Sequence, residues 1–262
     1  MTLFIILVLL AGGLVSYILY RKRTISHYEK QEISHFSSIG FPGFFDETVW
    51  KRWEEKVRME GTRLGDCRVI REGSGPELWI RLDGDSLITM APFFRSGSVK
   101  AEVVASHTPG PDEWHDMLTS EPAGHLVAER IPPVQTETTR WCLAAFGKEL
   151  TLYDSPDQYE FTIGSPFKMQ LLSVSGLSWE NGETSDWSAD VVVSGLIASC
   201  ERRVNSLTGE PYWLAEIEVS PGKTLTAVWD YRLCDRFPQK KNVAVGRFYL
   251  FSSPEGAMDH VS

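Results

Sequence analysis

The sequence is poor in the patterns that announce catalysis. Its four cysteines, Cys67, Cys142, Cys200 and Cys234, lie far apart, and no two form a C-x-x-C pair. That excludes a compact redox motif and a zinc ribbon. There is no G-x-S-x-G elbow, and no cysteine stands in a protease signature. The glycine-rich stretch at residues 73–77, GSGPE, lacks a Walker lysine, so it reads as a turn between strands and not as a phosphate cradle. Low-complexity tracts and long charge blocks are also missing.

Positive charge is scarce. The chain has 26 Lys and Arg against 35 Asp and Glu, and three of the basic residues fall within the first 23 positions, which contain no acid. Residues 24–262 therefore carry 23 basic against 35 acidic side chains, a net −12. A body so acidic is repelled by nucleic-acid phosphates and by anionic lipid. Arg202-Arg203 and Lys240-Lys241 are too few to reverse that. Nucleic acid is not an expected partner.

What the sequence does have is one long apolar run. Residues 2–20 contain no charge and no proline. Nineteen residues at about 1.5 Å each make a helix of ~28 Å, close to the hydrocarbon thickness of a bilayer. No basic residue precedes the run, no small-x-small site follows it, and it exceeds the core of an export signal. It is read as a retained anchor that meets membrane lipid, with Tyr17 and Tyr20 at one interface. Arg21, Lys22 and Arg23 follow at once. The positive-inside rule then places the amino terminus outside and the body in the cytoplasm. There, the cysteines are expected to be free and mostly buried.

Beyond the anchor, residues 21–44 read as a juxtamembrane connector. Residues 45–60 read as an amphipathic helix, with Phe45, Val49, Trp53 and Val57 on one face. Asp46 is its expected cap and Gly61 its terminator. Residues 66–175 have the texture of short strands, with Leu78, Ile80 and Leu82 opposite Trp79 and Arg81. Within them, residues 111–121 (PDEWHDMLTSE) suggest a short helix. A hairpin is expected to turn near Gly147-Lys148, and residues 158–164 (QYEFTIG) read as a strand.

Residues 190–253 show a long first strand with Gly195 at a bend, then further strands, the pattern of a small OB-like barrel. The fold class is thus mainly β, behind a single transmembrane helix and one amphipathic helix. The body is either two β units or one interleaved fold.

Candidate chemistry is thin. His107, His115 and His125, with Asp112, Glu113 and Asp116 among them, are spaced eight and ten residues apart across two turn regions. On a helix, His115 and Asp116 would diverge, and no zinc signature is matched. These are read as surface or structural histidines, with no metal, cofactor or catalytic residue assigned. Glu54-Glu55 and Glu216 with Glu218 read as solvated faces. Trp79, Trp213 and Trp229 belong to strand packing. Trp179 and Trp187 are different: they sit in a polar loop at residues 178–189 and mark a candidate contact for a protein partner.

The reading is a tethered, non-catalytic interaction or assembly module. Two alternatives stay open: a membrane-associated enzyme using the His107–His125 region, and, with topology reversed, an extracytoplasmic ligand-binding domain.

Overall fold

A computed structural model describes residues 34–44, 46–71, 75–94, 100–110, 113–120, 124–130, 141–174 and 188–254. Residues 2–20 and their Arg21, Lys22, Arg23 flank lie outside them. Among the described residues, no helix is long and apolar enough to cross a membrane.

The first ordered feature corrects an expectation. The described end of the stretch read as a connector packs into the core: Ser38, Ile39 and Phe41 are fully buried and Phe44 nearly so. A single 3-10 turn, Ser37–Ile39, ends at Gly40 in the left-handed region (φ 76°). Asn205 Nδ2 donates to the Ile39 carbonyl at 2.8 Å and Thr208 Oγ1 to that of Gly40 at 2.6 Å. Short polar and aromatic residues hid the burial in the sequence, because the segment has no strand or helix period.

Helix α1 (Glu47–Glu60) follows as expected. The Asp46 side chain accepts from the Thr48 N–H, and Gly61 donates back to the Val57 carbonyl. Trp53 and Val57 are its buried residues.

Strands β1 (Thr62–Leu64), β2 (Cys67–Arg71), β3 (Pro76–Asp83) and β4 (Ser86–Phe94) form an antiparallel sheet in sequence order. The other strands are β5 (Lys100–Gly110), β6 (Glu113–Ser120), β7 (Gly124–Arg130), β8 (Trp141–Tyr153), β9 (Gln170–Ser173), β10 (Asp190–Val204), β11 (Pro211–Ser220), β12 (Lys223–Asp230) and β13 (Val243–Pro254). They make a nine-stranded sheet.

Part of that sheet closes into a five-stranded barrel in the order β10–β11–β12–β8–β13 and back to β10. The β12–β8 pair is parallel and the other four are antiparallel. β5, β6 and β7 bridge the far ends of the same β8–β13 pair. β5 pairs with the start of β8 (Ala101↔Trp141), and β7 runs parallel to the end of β13 (Phe251↔Glu129).

Three expectations change here. The barrel draws its fifth strand from residues 141–153, outside the span 190–253, so the β units are interleaved. β8 is one thirteen-residue strand with no turn at Gly147-Lys148. Gly147 serves a different need: a Cβ there would stand 2.7 Å from the Trp229 Cβ and 2.9 Å from Leu233. Residues 113–120 are strand where a helix was expected.

Gly195, expected at a bend, is tied to glycine by a close approach of strands. β10 pairs with β13 on one side and β11 on the other. At Gly195 a side chain would meet the Glu218 carbonyl at 2.4 Å. The backbones cross too closely for any other residue.

Strand alternation divides the interior into two cores. In β12, Leu225, Ala227 and Trp229 point into the barrel with Leu143, Ala145, Phe248 and Leu250. Val228 points outward, joining Ala144, Phe146, Tyr212 and Phe251 beneath the four-stranded sheet, α1 and the 39–44 segment. The body is thus a filled barrel with a second layer sealed onto one wall. Trp79, Trp213 and Trp229 are all buried within it; the four cysteines form no disulfide, and of them Cys67 is buried while the other three, expected to be mostly buried, are half-exposed.

Candidate functional site

Two surface regions stand out from this scaffold, at different places on β8.

The first lies on the outer wall where the described chain begins. The His35 ring stacks on Tyr249 at 4.5 Å and meets Phe251 edge-on at 5.8 Å. Tyr249 Oη donates to Glu129 Oε2 at 2.7 Å. Lys148 Nζ sits 5.7 Å from the Tyr249 ring centre and pairs with Asp190 at 2.8 Å; Arg247 also reaches Asp190, at 3.4 Å. Burial holds the His35 pKa well below the ordinary 6.5, at about 4; the Lys148 charge lowers it further and Asp190 opposes. His35 is therefore neutral at physiological pH, acting as an aromatic surface and not as a cation.

The histidines of residues 107–125 border this region by register. His107 pairs directly with His115, and His115 pairs directly with Glu129. His125 instead pairs with Thr119, four residues along β7 from Glu129, or about 13 Å. Asp116 pairs with Ser106 and Ala128, in the neighbouring row of the ladder. The spacing of eight between His107 and His115 thus reflects a hairpin, which the helical reading of residues 111–121 concealed. Glu113 pairs with Gly110 at the hairpin end, and Asp112 lies outside the described residues. Among the side chains described, no three of His, Cys, Asp and Glu are grouped to hold a metal.

The second region is at the end of β8. Helix α2 (Pro156–Ile163) stands where a strand was expected. Its ends are tied firmly. Ser155 Oγ accepts from the Gln158 N–H, Pro156 opens the first turn, and Gly164 closes the helix at φ 76° with its N–H on the Glu160 carbonyl. Tyr159 packs edge-on against Tyr153 and Phe167. Yet none of the helix residues is buried. Phe161 is 92% exposed and Ile163 49%.

The neighbouring loop adds Phe237, 71% exposed and edge-on to Trp213. Arg236 in that loop pairs with Asp154 at 2.7 Å, which holds the loop beside the start of α2. The Ser-Pro-Asp start and Gly-Ser-Pro end are cap signals that mark this helix in the sequence. Its β-like composition outweighed them in the strand reading.

Trp179 and Trp187, like Arg21, Lys22 and Arg23, lie outside the described residues. Glu216 accepts from Thr226 Oγ1 at 2.6 Å and Glu218 from the Gly222 N–H at 2.8 Å. They hold strand and turn geometry at the β11–β12 hairpin. No family model matches the chain, and neither a curated protein nor a solved structure is significantly similar to it.

Proposed function

We propose that the chain is a membrane-tethered, non-catalytic interaction module whose cytoplasmic body presents α2 to a protein partner. One observation carries this reading: a helix capped at both ends that buries none of its residues and displays Phe161 and Ile163. Eight residues are too few for a helix to persist without support. The caps and the Tyr153–Tyr159–Phe167 cluster supply that support, so the exposed aromatic is held in place. A backbone ordered in advance presents its aromatic anchor at a smaller entropic cost of binding.

The barrel supports the same reading. Its strand order, with one parallel pair, is that of an OB-like barrel whose last strand comes from earlier in the chain. OB-like barrels serve as binding scaffolds, and the net −12 of residues 24–262 turns this one away from nucleic acid. Trp179 and Trp187 remain part of the proposal as a second contact, and residues 2–20 as the tether.

The test is a photo-crosslinking amino acid at position 161 of the full chain in native membranes. The expected result is one dominant protein adduct, lost when Ile163→Ser and Phe237→Ser are added while the melting temperature holds. Adducts to lipid alone, or a dominant adduct indifferent to both substitutions, would refute it. A carboxyl-terminal reporter accessible only from outside the cell would favour the extracytoplasmic ligand-binding reading. Of the enzyme reading, the register retains His107 and His115 and separates His125 from them.

A further inference from the structure

We propose that the α2 surface meets a second copy of this chain, each copy laying its α2 on the loop of residues 231–242 of the other. The proposal rests on the reading of α2 as an interaction surface and names what that surface binds. Charge complementarity within a single patch carries it. Residues 154–163 hold three acids and no base, whereas residues 231–242 hold four bases and one acid, against the acidic balance of the body. Arg236 is neutralised by Asp154 and Arg232 by Asp230, both at 2.7 Å. That leaves Asp157 and Glu160 on the helix, and Lys240 and Lys241 on the loop. All four are exposed, and none forms an ion pair with a described residue.

Each charged pair accompanies an exposed aromatic. On the helix surface Asp157 neighbours Glu160, three residues on, and Phe161, four residues on. On the loop the aromatic is Phe237. The two halves abut and are held in place. Lys241 N–H donates to the Ile197 carbonyl at 2.8 Å and Gln239 N–H to Asn242 Oδ1 at 2.8 Å; the buried Asn242 donates from Nδ2 to the Asp154 carbonyl at 3.4 Å.

Lys241 supplies an independent sign. Among the described residues it is the one non-glycine at positive φ, 74°, a conformation that favours glycine. A lysine in strained, exposed backbone is placed for its charge and not for folding. An acidic, aromatic half beside a basic, aromatic half is self-complementary: a two-fold axis sets each α2 on the other copy's loop and makes the contact twice. The net −12 of residues 24–262 opposes association. At physiological salt, however, interactions between exposed charges fade beyond about 8 Å, so the facing pairs decide the contact.

The experiment co-expresses two differently tagged full chains in native membranes, with a photo-crosslinking amino acid at position 161 of one. The expected adduct has twice the chain mass, carries both tags and maps to residues 231–242 of the other copy. Lys240→Glu with Lys241→Glu in both copies, or Asp157→Lys with Glu160→Lys in both, should cut it roughly tenfold or more. One copy of each kind should restore it, because every contact again joins opposite charges; that recovery also shows that both variants fold. Lys241→Gly in both copies should weaken the adduct without lowering the melting temperature. A self-adduct indifferent to charge reversal, or no recovery in the mixed pair at wild-type melting temperatures, would overturn the proposal. A dominant adduct to a different protein would overturn it and leave α2 as an interaction surface, whereas adducts to lipid alone would overturn both readings.

Discussion

Deleting residues 1–44 should unfold a body that survives deletion of residues 1–33. The eleven residues between the two cuts contain Ile39 and Phe41, both fully buried, and Phe44, 7% exposed. Burying one such side chain is worth roughly 1.5–3 kcal/mol, so together they contribute about 5–9 kcal/mol. That figure is an upper estimate, because unfolded chains are already partly compact. The cut also removes the Ile39 and Gly40 carbonyls that accept from Asn205 Nδ2 and Thr208 Oγ1, at about 1 kcal/mol each. Whole domains are stable by only about 5–15 kcal/mol.

Urea titration of fragments 34–262 and 45–262, followed by tryptophan fluorescence, measures the difference. The longer fragment should show a cooperative transition. The shorter should show none, or a midpoint displaced by most of the transition range. Coincident midpoints would mean that the segment contributes little and that the reading of it as core is wrong. Asn205→Ala in the longer fragment isolates one piece of the same contact, with an expected loss of about 2 kcal/mol.

Two further outcomes follow from particular contacts. Gly147→Ala puts a methyl against Trp229 and Leu233; overpacking at the barrel wall should cost about 1–3 kcal/mol, read as a lower urea midpoint. His35 titrates at about 4 in the folded chain against 6.5 ordinarily. Its contribution is therefore full above pH 6.5 and is lost as pH falls toward 4. The loss reaches up to about 2 kcal/mol by about pH 5. His35→Gln should flatten that part of the stability curve; an unchanged slope would place the ring in water.

The parts legible in the sequence were those with a strong local signal. α1 announced itself through a four-residue apolar spacing, an Asp cap and a terminal glycine. The long strand β10 and its crowded Gly195 were visible because glycine interrupts an otherwise β-branched run. What was not legible depends on non-local pairing. Gly147 looks like a turn until Trp229, 82 positions on, is found against it. The β12–β8 pair that closes the barrel joins Ala227 to Ala145, and nothing local to either alanine marks it. The same applies to His107 and His115, whose eight-residue interval makes them partners across a hairpin and would separate them on a helix. The exposed helix α2 was obscured differently: Tyr159, Phe161 and Ile163 give it a strand-like composition, and they are exposed for a reason that burial logic does not supply.

The two surface regions acquire an order once the tether is considered. Ten residues, 24–33, separate Arg23 from Ser34, and eleven steps of at most ~3.6 Å reach about 40 Å. Given the anchor proposed for residues 2–20, the wall bearing His35, Tyr249 and Lys148 stays within that distance of the bilayer. Helix α2 begins after Tyr153, whereas Tyr249 pairs with Phe146 on the same strand. Seven residues of strand separate the two points, about 23 Å. On that proposal, α2 is the surface turned away from the bilayer, and the barrel wall bearing Tyr249 is the one turned toward it. Spin labels at positions 148 and 161 in reconstituted vesicles test this arrangement, using a nickel-chelating lipid as relaxant. Relaxation should be clear at 148 and weak at 161. Stronger relaxation at 161 would turn the barrel over, make Phe161 a lipid contact, and remove the geometric ground for reading α2 as a protein-binding surface.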